Sequence, residues 1–214
     1  MHVSLKTDGS ITIFEEIKLR KEVAFMINGS CTKSDLENKY IFWDIDGTLA
    51  PYRFNDHVAD PDRTNNGMSL EEIAEHIFLT RKPSQHMMKV VYSCGARRNF
   101  IMGHCQVQQE MDDKQLWLDK HFPIIRRQDR ILTRILTFEN ISKADSIVEY
   151  CAGHRIDLKD IVYVDDVIPF LREAERKGIK SYHISSFLDW DIVNKHLLEQ
   201  PDSATDAFFN IHNG

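Results

Sequence analysis

The clearest signals along the chain are short apolar runs that stop abruptly at polar residues, separated by stretches with helical spacing. Tyr40-Ile41-Phe42-Trp43 is the strongest run. Unbroken bulky apolar residues, without polar alternation, predict a strand buried on both faces. The run ends at Asp44-Ile45-Asp46-Gly47-Thr48, so it delivers carboxylates to the edge of a sheet. Lys89-Val90-Val91-Tyr92-Ser93 predicts a second strand ending in a small polar residue, with Gly95 close behind. A third strand is expected within Ile131–Phe138. A fourth, Ile161-Val162-Tyr163-Val164, ends in Asp165-Asp166, and a fifth spans Ile179–Ile184.

Helical patterns fill the intervals. Ser69 and Glu72 form a capping box ahead of Leu70, Ile73 and Ile77, and this helix should end before Pro83. Gln106–His121 carries an irregular apolar face of Met111, Leu116, Trp117 and Leu118. Ser142 is placed as an N-cap, with Asp145 three residues on, for a helix from Lys143 to about Cys151. Pro169 and Gly178 bracket another helix, and a last one lies near Leu188–Leu198. Strands alternating with helices predict an α/β fold built of right-handed βαβ units. Its core is a Rossmann-like, doubly wound, mostly parallel five-stranded sheet with helices on both faces. Residues 1–39 read as an N-terminal extension, 40–200 as one domain with room for a small flap in 50–88, and 201–214 as a tail.

Composition changes this picture little. A net charge of −6 over 214 residues argues against a dedicated nucleic-acid binder. Basic residues cluster across Arg126, Arg127, Arg130 and Arg134, where a solvated face is favoured over an anion site, and at Arg97-Arg98, which read equally as a clamp for an anionic substrate and as a surface pair. Neither a membrane span nor a secretory leader pattern is expected, so a cytoplasmic location is. Cys31, Cys94, Cys105 and Cys151 are scattered without C-x-x-C pairing and read as reduced thiols.

Ligands of parallel sheets bind beyond the carboxyl ends of the strands. The predicted strands bring Asp44, Asp46, Ser93, Asp165 and Asp166 to that edge. Such a cluster of acids repels itself unless a hard divalent cation relieves it, and Mg²⁺ leaves open positions for phosphate oxygens. Asp44, at the strand end, is the candidate nucleophile for an aspartyl-phosphate. Asp46 is the candidate proton donor and acceptor. Ser93, the backbone N–H groups after it, and a lysine at a helix start are the candidate phosphate donors.

Phe42-Trp43-Asp44-Ile45-Asp46-Gly47-Thr48-Leu49 resembles the first signature of the haloacid dehalogenase superfamily, whose typical members are Mg²⁺-dependent phosphatases. Val90–Ser93 resembles its second motif, Lys143 is placed like its third-motif lysine, and Val162–Asp166 resembles its fourth. The four occur in the family's order across roughly residues 40–185. The resemblance implies a Mg²⁺ held by Asp44, the backbone carbonyl of Asp46, and Asp165, with Asp166 as a further ligand or one layer out. It implies Lys143 as a catalytic and phosphate-binding lysine, with Ser93 and Thr48 completing the phosphate contacts. An acid at Asp46 favours phosphoester hydrolysis or phosphomutase chemistry over carbon–halogen or carbon–phosphorus cleavage.

The spaces between the motifs leave room for a minimal cap or none. An open site is compatible with a small-molecule or an exposed macromolecular phosphate ester, or with a homo-oligomer partner covering it. A non-catalytic phosphate- or partner-binding module and a phosphomutase stand as alternatives to the phosphatase. Blander readings stand beside the residues too: Ser93 as a plain strand end, Lys143 as a solvated helix residue, Cys94 as a buried thiol, and His104-Cys105 as packing, not zinc ligation.

Overall fold

The computed structural model describes residues 30–51, 70–134 and 142–193. Positions 52–69 of the expected 50–88 flap, the Ser69 cap, residues 1–29 and the tail lie outside them. Five parallel strands form the sheet in the order β3-β2-β1-β4-β5: β1 Tyr40–Trp43, β2 Arg98–Cys105, β3 Arg130–Arg134, β4 Ile161–Asp165 and β5 Lys180–His183. β1 is the central strand, and the sheet grows outward from it in both directions, as a doubly wound Rossmann-like fold does.

Helices cover both faces. Along β1, Ile41 and Trp43 face one side, where they meet α3 (Gln85–Ser93) and α4 (Gln108–His121) through Val90, Val91, Trp117 and Leu118. Phe42 faces the other side, where Phe100, Met102 and Tyr163 pack on α5 (Lys143–His154) and α6 (Ile168–Arg176) through Ala144, Ile147, Cys151 and Leu171. Phe42 and Phe100 stack with ring centroids 4.7 Å apart, one cross-strand aromatic contact of this second core. The short helices α1 (Lys33–Leu36), α2 (Leu70–Ala74) and α7 (Trp190–Val193) close the first face, to which Leu36, Ile73 and Trp190 contribute.

The second strand differs from expectation. Lys89–Ser93 is not a strand but the end of α3, and the strand begins at Arg98. Ser84, after Pro83, caps α3 by accepting from the Met87 N–H at 3.2 Å, and Gly95 ends it at φ +67. Both are helix boundary signals. The helix expected from Ser69 is shorter than its pattern. Its described part stops at Ala74, and a 3-10 turn, Ile77–Thr80, follows. Two further helices match: Ser142 caps α5 by accepting from the Asp145 N–H, and Pro169 opens α6 ahead of Gly178 at φ +83. Residues 135–138 of the expected third strand and 194–198 of the expected last helix lie outside the described residues. Among the described residues, no helix is long and apolar enough to cross a membrane.

Candidate active site

The chain leaves β1 at Trp43 and turns at once. Asp44 still donates its N–H to the Val164 carbonyl on β4 at 2.9 Å, so it remains locked to the neighbouring strand. Ile45 then accepts from the Thr48 and Ala50 N–H groups, and Gly47 takes φ +77, a conformation that a side chain would strain. Residues two apart in a strand point the same way, but this tight turn sends the two carboxylates to different partners.

Asp44 meets the α5 side. Lys143, in the first turn of α5, donates to Asp44 Oδ1 at 2.5 Å and to Asp165 Oδ2 at 2.9 Å. The Tyr163 hydroxyl also donates to Asp165 Oδ2, and the Val167 N–H donates to Asp165 Oδ1 at 2.7 Å. Oxygens of Asp44, Asp165 and Asp166 lie within 4.8 Å of one another, and Asp166 Oδ1 is buried without a hydrogen-bond partner among the described residues. Fully ionised, three carboxylates against one ammonium would carry two negative charges in excess in a largely buried pocket.

The titration behaviour follows from that imbalance. Burial raises the Asp44 pKa well above the usual carboxylate range. The Lys143 charge offsets this only in part, and Asp165 and Asp46 add to the rise. Burial, and then the Asp165 charge, pushes Asp166 up to about 7. Burial works against the Lys143 ammonium, yet Asp44 and Asp165 more than compensate and hold it protonated. An all-oxygen set with a surplus of two charges and one unsatisfied oxygen fits a hard divalent cation such as Mg²⁺.

Asp46 meets the α4 side. Lys114 of α4 donates to Asp46 Oδ2 at 2.6 Å, and Arg81 Nη1 approaches Asp46 Oδ1 at 3.3 Å. Lys114 also lies 2.7 Å from Glu110 Oε1 and 2.8 Å from the His104 carbonyl at the end of β2. Two carboxylates and two cations make this second network neutral. Burial would raise the Asp46 pKa, but Lys114 and then Arg81 outweigh it and keep the carboxyl ionised. Burial likewise disfavours the Lys114 charge, and Asp46 and Glu110 restore it.

Five of the expected residues therefore gather at the carboxyl edge: Asp44, Asp46, Lys143, Asp165 and Asp166. Thr48 lies in the β1 turn, buried, its hydroxyl without a partner among the described residues. Ser93 does not join them. It precedes the turn whose Gly95 carbonyl binds the Asn38 N–H, and β2 leaves that turn paired to Tyr40, so Ser93 stands at the amino end of the sheet. Its hydroxyl accepts from Trp190 Nε1 at 3.3 Å. Arg97 and Arg98 share that end. The Arg97 guanidinium lies over the Tyr40 ring, and Arg98 faces Asp129, so neither reaches the acidic cluster.

Arg126, Arg127 and Arg130 are ion-paired to Asp129 and Asp119. Cys94 is a buried thiol, pushed up to about 11 by burial, as its packing reading expects. Sequence reasoning missed Lys114, Glu110, Arg81 and Tyr163. Glu110 and Lys114 stand four apart on a helix, a spacing that pairs charges, and this was the available signal.

No protein-family model and no curated protein matches the chain. Among solved structures it is similar to a haloacid dehalogenase-like family hydrolase of Streptococcus pneumoniae, at 16% identity and TM-score 0.45, covering 80% of this chain and 98% of that one. It is also similar to the N-terminal part of a Bacteroides fragilis protein containing a phosphatase domain complexed with Mg, at 12% identity and TM-score 0.41, covering 86% of this chain and 46% of that one. Likenesses this loose add nothing to the chemistry that the strand order and the two charge networks define.

Proposed function

We propose that the protein is a Mg²⁺-dependent phosphoester hydrolase of the haloacid dehalogenase type, acting through an aspartyl-phosphate on Asp44. The observation that carries this reading is the cluster of buried Asp44 and Asp165, both bonded to Lys143, with half-buried Asp166 beside them, an excess of carboxylates at the carboxyl end of a parallel sheet. Asp44, Asp165 and Asp166 would hold the cation, which supplies charge neutralisation for the phosphoryl oxygens.

The chain's own groups do the rest. Lys143 steadies the Asp44 carboxylate so that one oxygen faces the phosphorus. As the Asp44 oxygen bonds to phosphorus, the ester P–O bond breaks and its electron pair leaves on the alcohol oxygen. That oxygen takes a proton from Asp46. Asp46 rests ionised beside Lys114, so it first takes the proton that the substrate's phosphate monoanion carries and then passes it to that oxygen. In the second half, Asp46 accepts a proton from the water that attacks phosphorus, the Asp44–phosphorus bond breaks, and that proton leaves on the inorganic phosphate, which returns Asp46 to its ionised state. Thr48 and the third N–H of Lys143 are the phosphate contacts this reading uses, in place of Ser93.

A phosphomonoester is the substrate class, small or displayed on a macromolecule. The test is hydrolysis of an aryl phosphate with and without Mg²⁺, beside Asp44→Asn. Turnover that needs Mg²⁺ and vanishes in Asp44→Asn supports the mechanism; turnover surviving either change overturns it.

A further inference from the structure

We infer that Lys114 is a positioning residue for the proposed reaction: it fixes the Asp46 carboxylate for proton transfer without touching substrate. This rests on the phosphoester-hydrolase reading. Lys114 offers three N–H donors, and three oxygens stand within reach: Asp46 Oδ2 at 2.6 Å, Glu110 Oε1 at 2.7 Å and the His104 carbonyl at 2.8 Å. With every donor committed and the side chain 1% exposed, Lys114 has nothing left to offer a phosphate. Lys143 differs, since two carboxylates occupy two of its donors and the third has no hydrogen-bond partner among the described residues. The two buried lysines near the acids thus divide the work: Lys143 faces substrate and Lys114 acts through Asp46.

Exposure within the network points the same way. The side chains of Lys114, Glu110 and Arg81 are 1%, 5% and 5% exposed, while that of Asp46 is 27% exposed. Asp46 is therefore the outlet of an otherwise buried assembly. That assembly is braced on the backbone. Glu110 Oε2 accepts from the Gln106 N–H at 2.6 Å just past β2, and the Arg81 carbonyl accepts from Trp117 Nε1 at 2.8 Å. A purely structural role would be filled as well by apolar side chains of similar volume, because a buried ion network repays its desolvation poorly. Ending that network on the one carboxylate that must present an oxygen outward gives the charges a use.

Measuring kcat/KM with two substrates tests this, because that ratio reports the steps through phosphoenzyme formation. An alkyl phosphate has a poor leaving group that needs a well-placed acid, and 4-nitrophenyl phosphate does not. Lys114→Met should lower kcat/KM about 100-fold for the alkyl phosphate, the size of a general-acid contribution. For 4-nitrophenyl phosphate the loss should stay below about tenfold, a gap that general-acid dependence predicts. Equal losses on both, or none on either, overturn the inference while leaving Mg²⁺-dependent turnover and the Asp44 mechanism intact. If the wild-type protein turns over neither substrate, both readings fall. Glu110→Gln, which keeps shape and drops one charge, should show the same selective loss in milder form. It carries the test if Lys114→Met does not fold, and failure of both to fold assigns Lys114 to structure and overturns the inference.

Discussion

Lys143 Nζ lies 2.5 Å from Asp44 Oδ1, joining residues 99 positions apart across the sheet edge, with both groups buried. Removing that ammonium by Lys143→Met leaves Asp44 and Asp165 buried without a cation. Breaking a buried pair in this way costs about 3–5 kcal/mol. The variant should melt well below the parent in chelator, recover part of the loss in Mg²⁺, and show no phosphatase turnover in either. A variant as stable as the parent without metal would show that the pocket is not charge-stressed as described.

The raised pKa values of Asp44 and Asp166 set the sign of a pH effect. An unfolded aspartate titrates near about 3.9. Asp166 is pushed up to about 7 when folded, so between these values the folded metal-free chain holds protons that the unfolded chain has lost. These groups therefore add stability below the unfolded value and withdraw it as pH rises toward 7. The proposed divalent cation would replace those protons. The rise in Tm on adding Mg²⁺ should be larger at pH 8 than at pH 5, and Asp166→Asn should narrow the difference. A larger rise at pH 5 would contradict the assignment of the cluster.

Ser93→Ala separates sequence motif from structure. Because the hydroxyl sits at the amino end of the sheet beside Trp190, phosphatase activity should stay within about twofold of the parent, under about 0.5 kcal/mol in barrier. A loss of more than tenfold in kcat/KM would return Ser93 to the site.

Tyr163 is buried, and its hydroxyl donates to Asp165 Oδ2. Tyr163→Phe removes one of three donors to that carboxylate while Lys143 and the Val167 N–H remain. Loss of a buried hydrogen bond costs about 1–3 kcal/mol, read by thermal or urea melting. Freed of this partner, Asp165 should bind Mg²⁺ about tenfold more weakly in a calorimetric titration, as outer partners of metal ligands usually dictate. Unchanged affinity would remove Tyr163 from the metal's surroundings.

What was legible in the sequence follows from how local each signal is. β1 and β4 read correctly because their runs are unbroken, central and buried on both faces, and each ends in acid. α5 and α6 carried local boundary signals at Ser142, Pro169 and Gly178, and they formed as marked. The misreading of Val90-Val91-Tyr92 shows the limit. Three apolar residues satisfy a buried strand and a helix face alike, and length or flanking residues must decide. Ser84 and Gly95 held that answer, whereas β2 was hidden because Gly103 and His104 interrupt its apolar run. In the structure Gly103 has a reason: a Cβ there would stand 3.0 Å from Leu132 and 3.2 Å from Ile45. The Lys114 network escaped because three of its parts come from separate segments, which only the tertiary fold joins.

Asp44 and Asp46, with Ile45 between them, belong to opposite halves of the molecule. One is tied to a helix on one face of the sheet, and the other to a helix 68 residues away on the opposite face. The proposed active centre is thus a seam, complete only while both helical layers are docked. Partial unfolding of either layer disarms one half of the chemistry outright. Catalytic competence in this chain should rise and fall with the cooperative fold as a whole, so that a proteolytic fragment or a half-folded intermediate is inert.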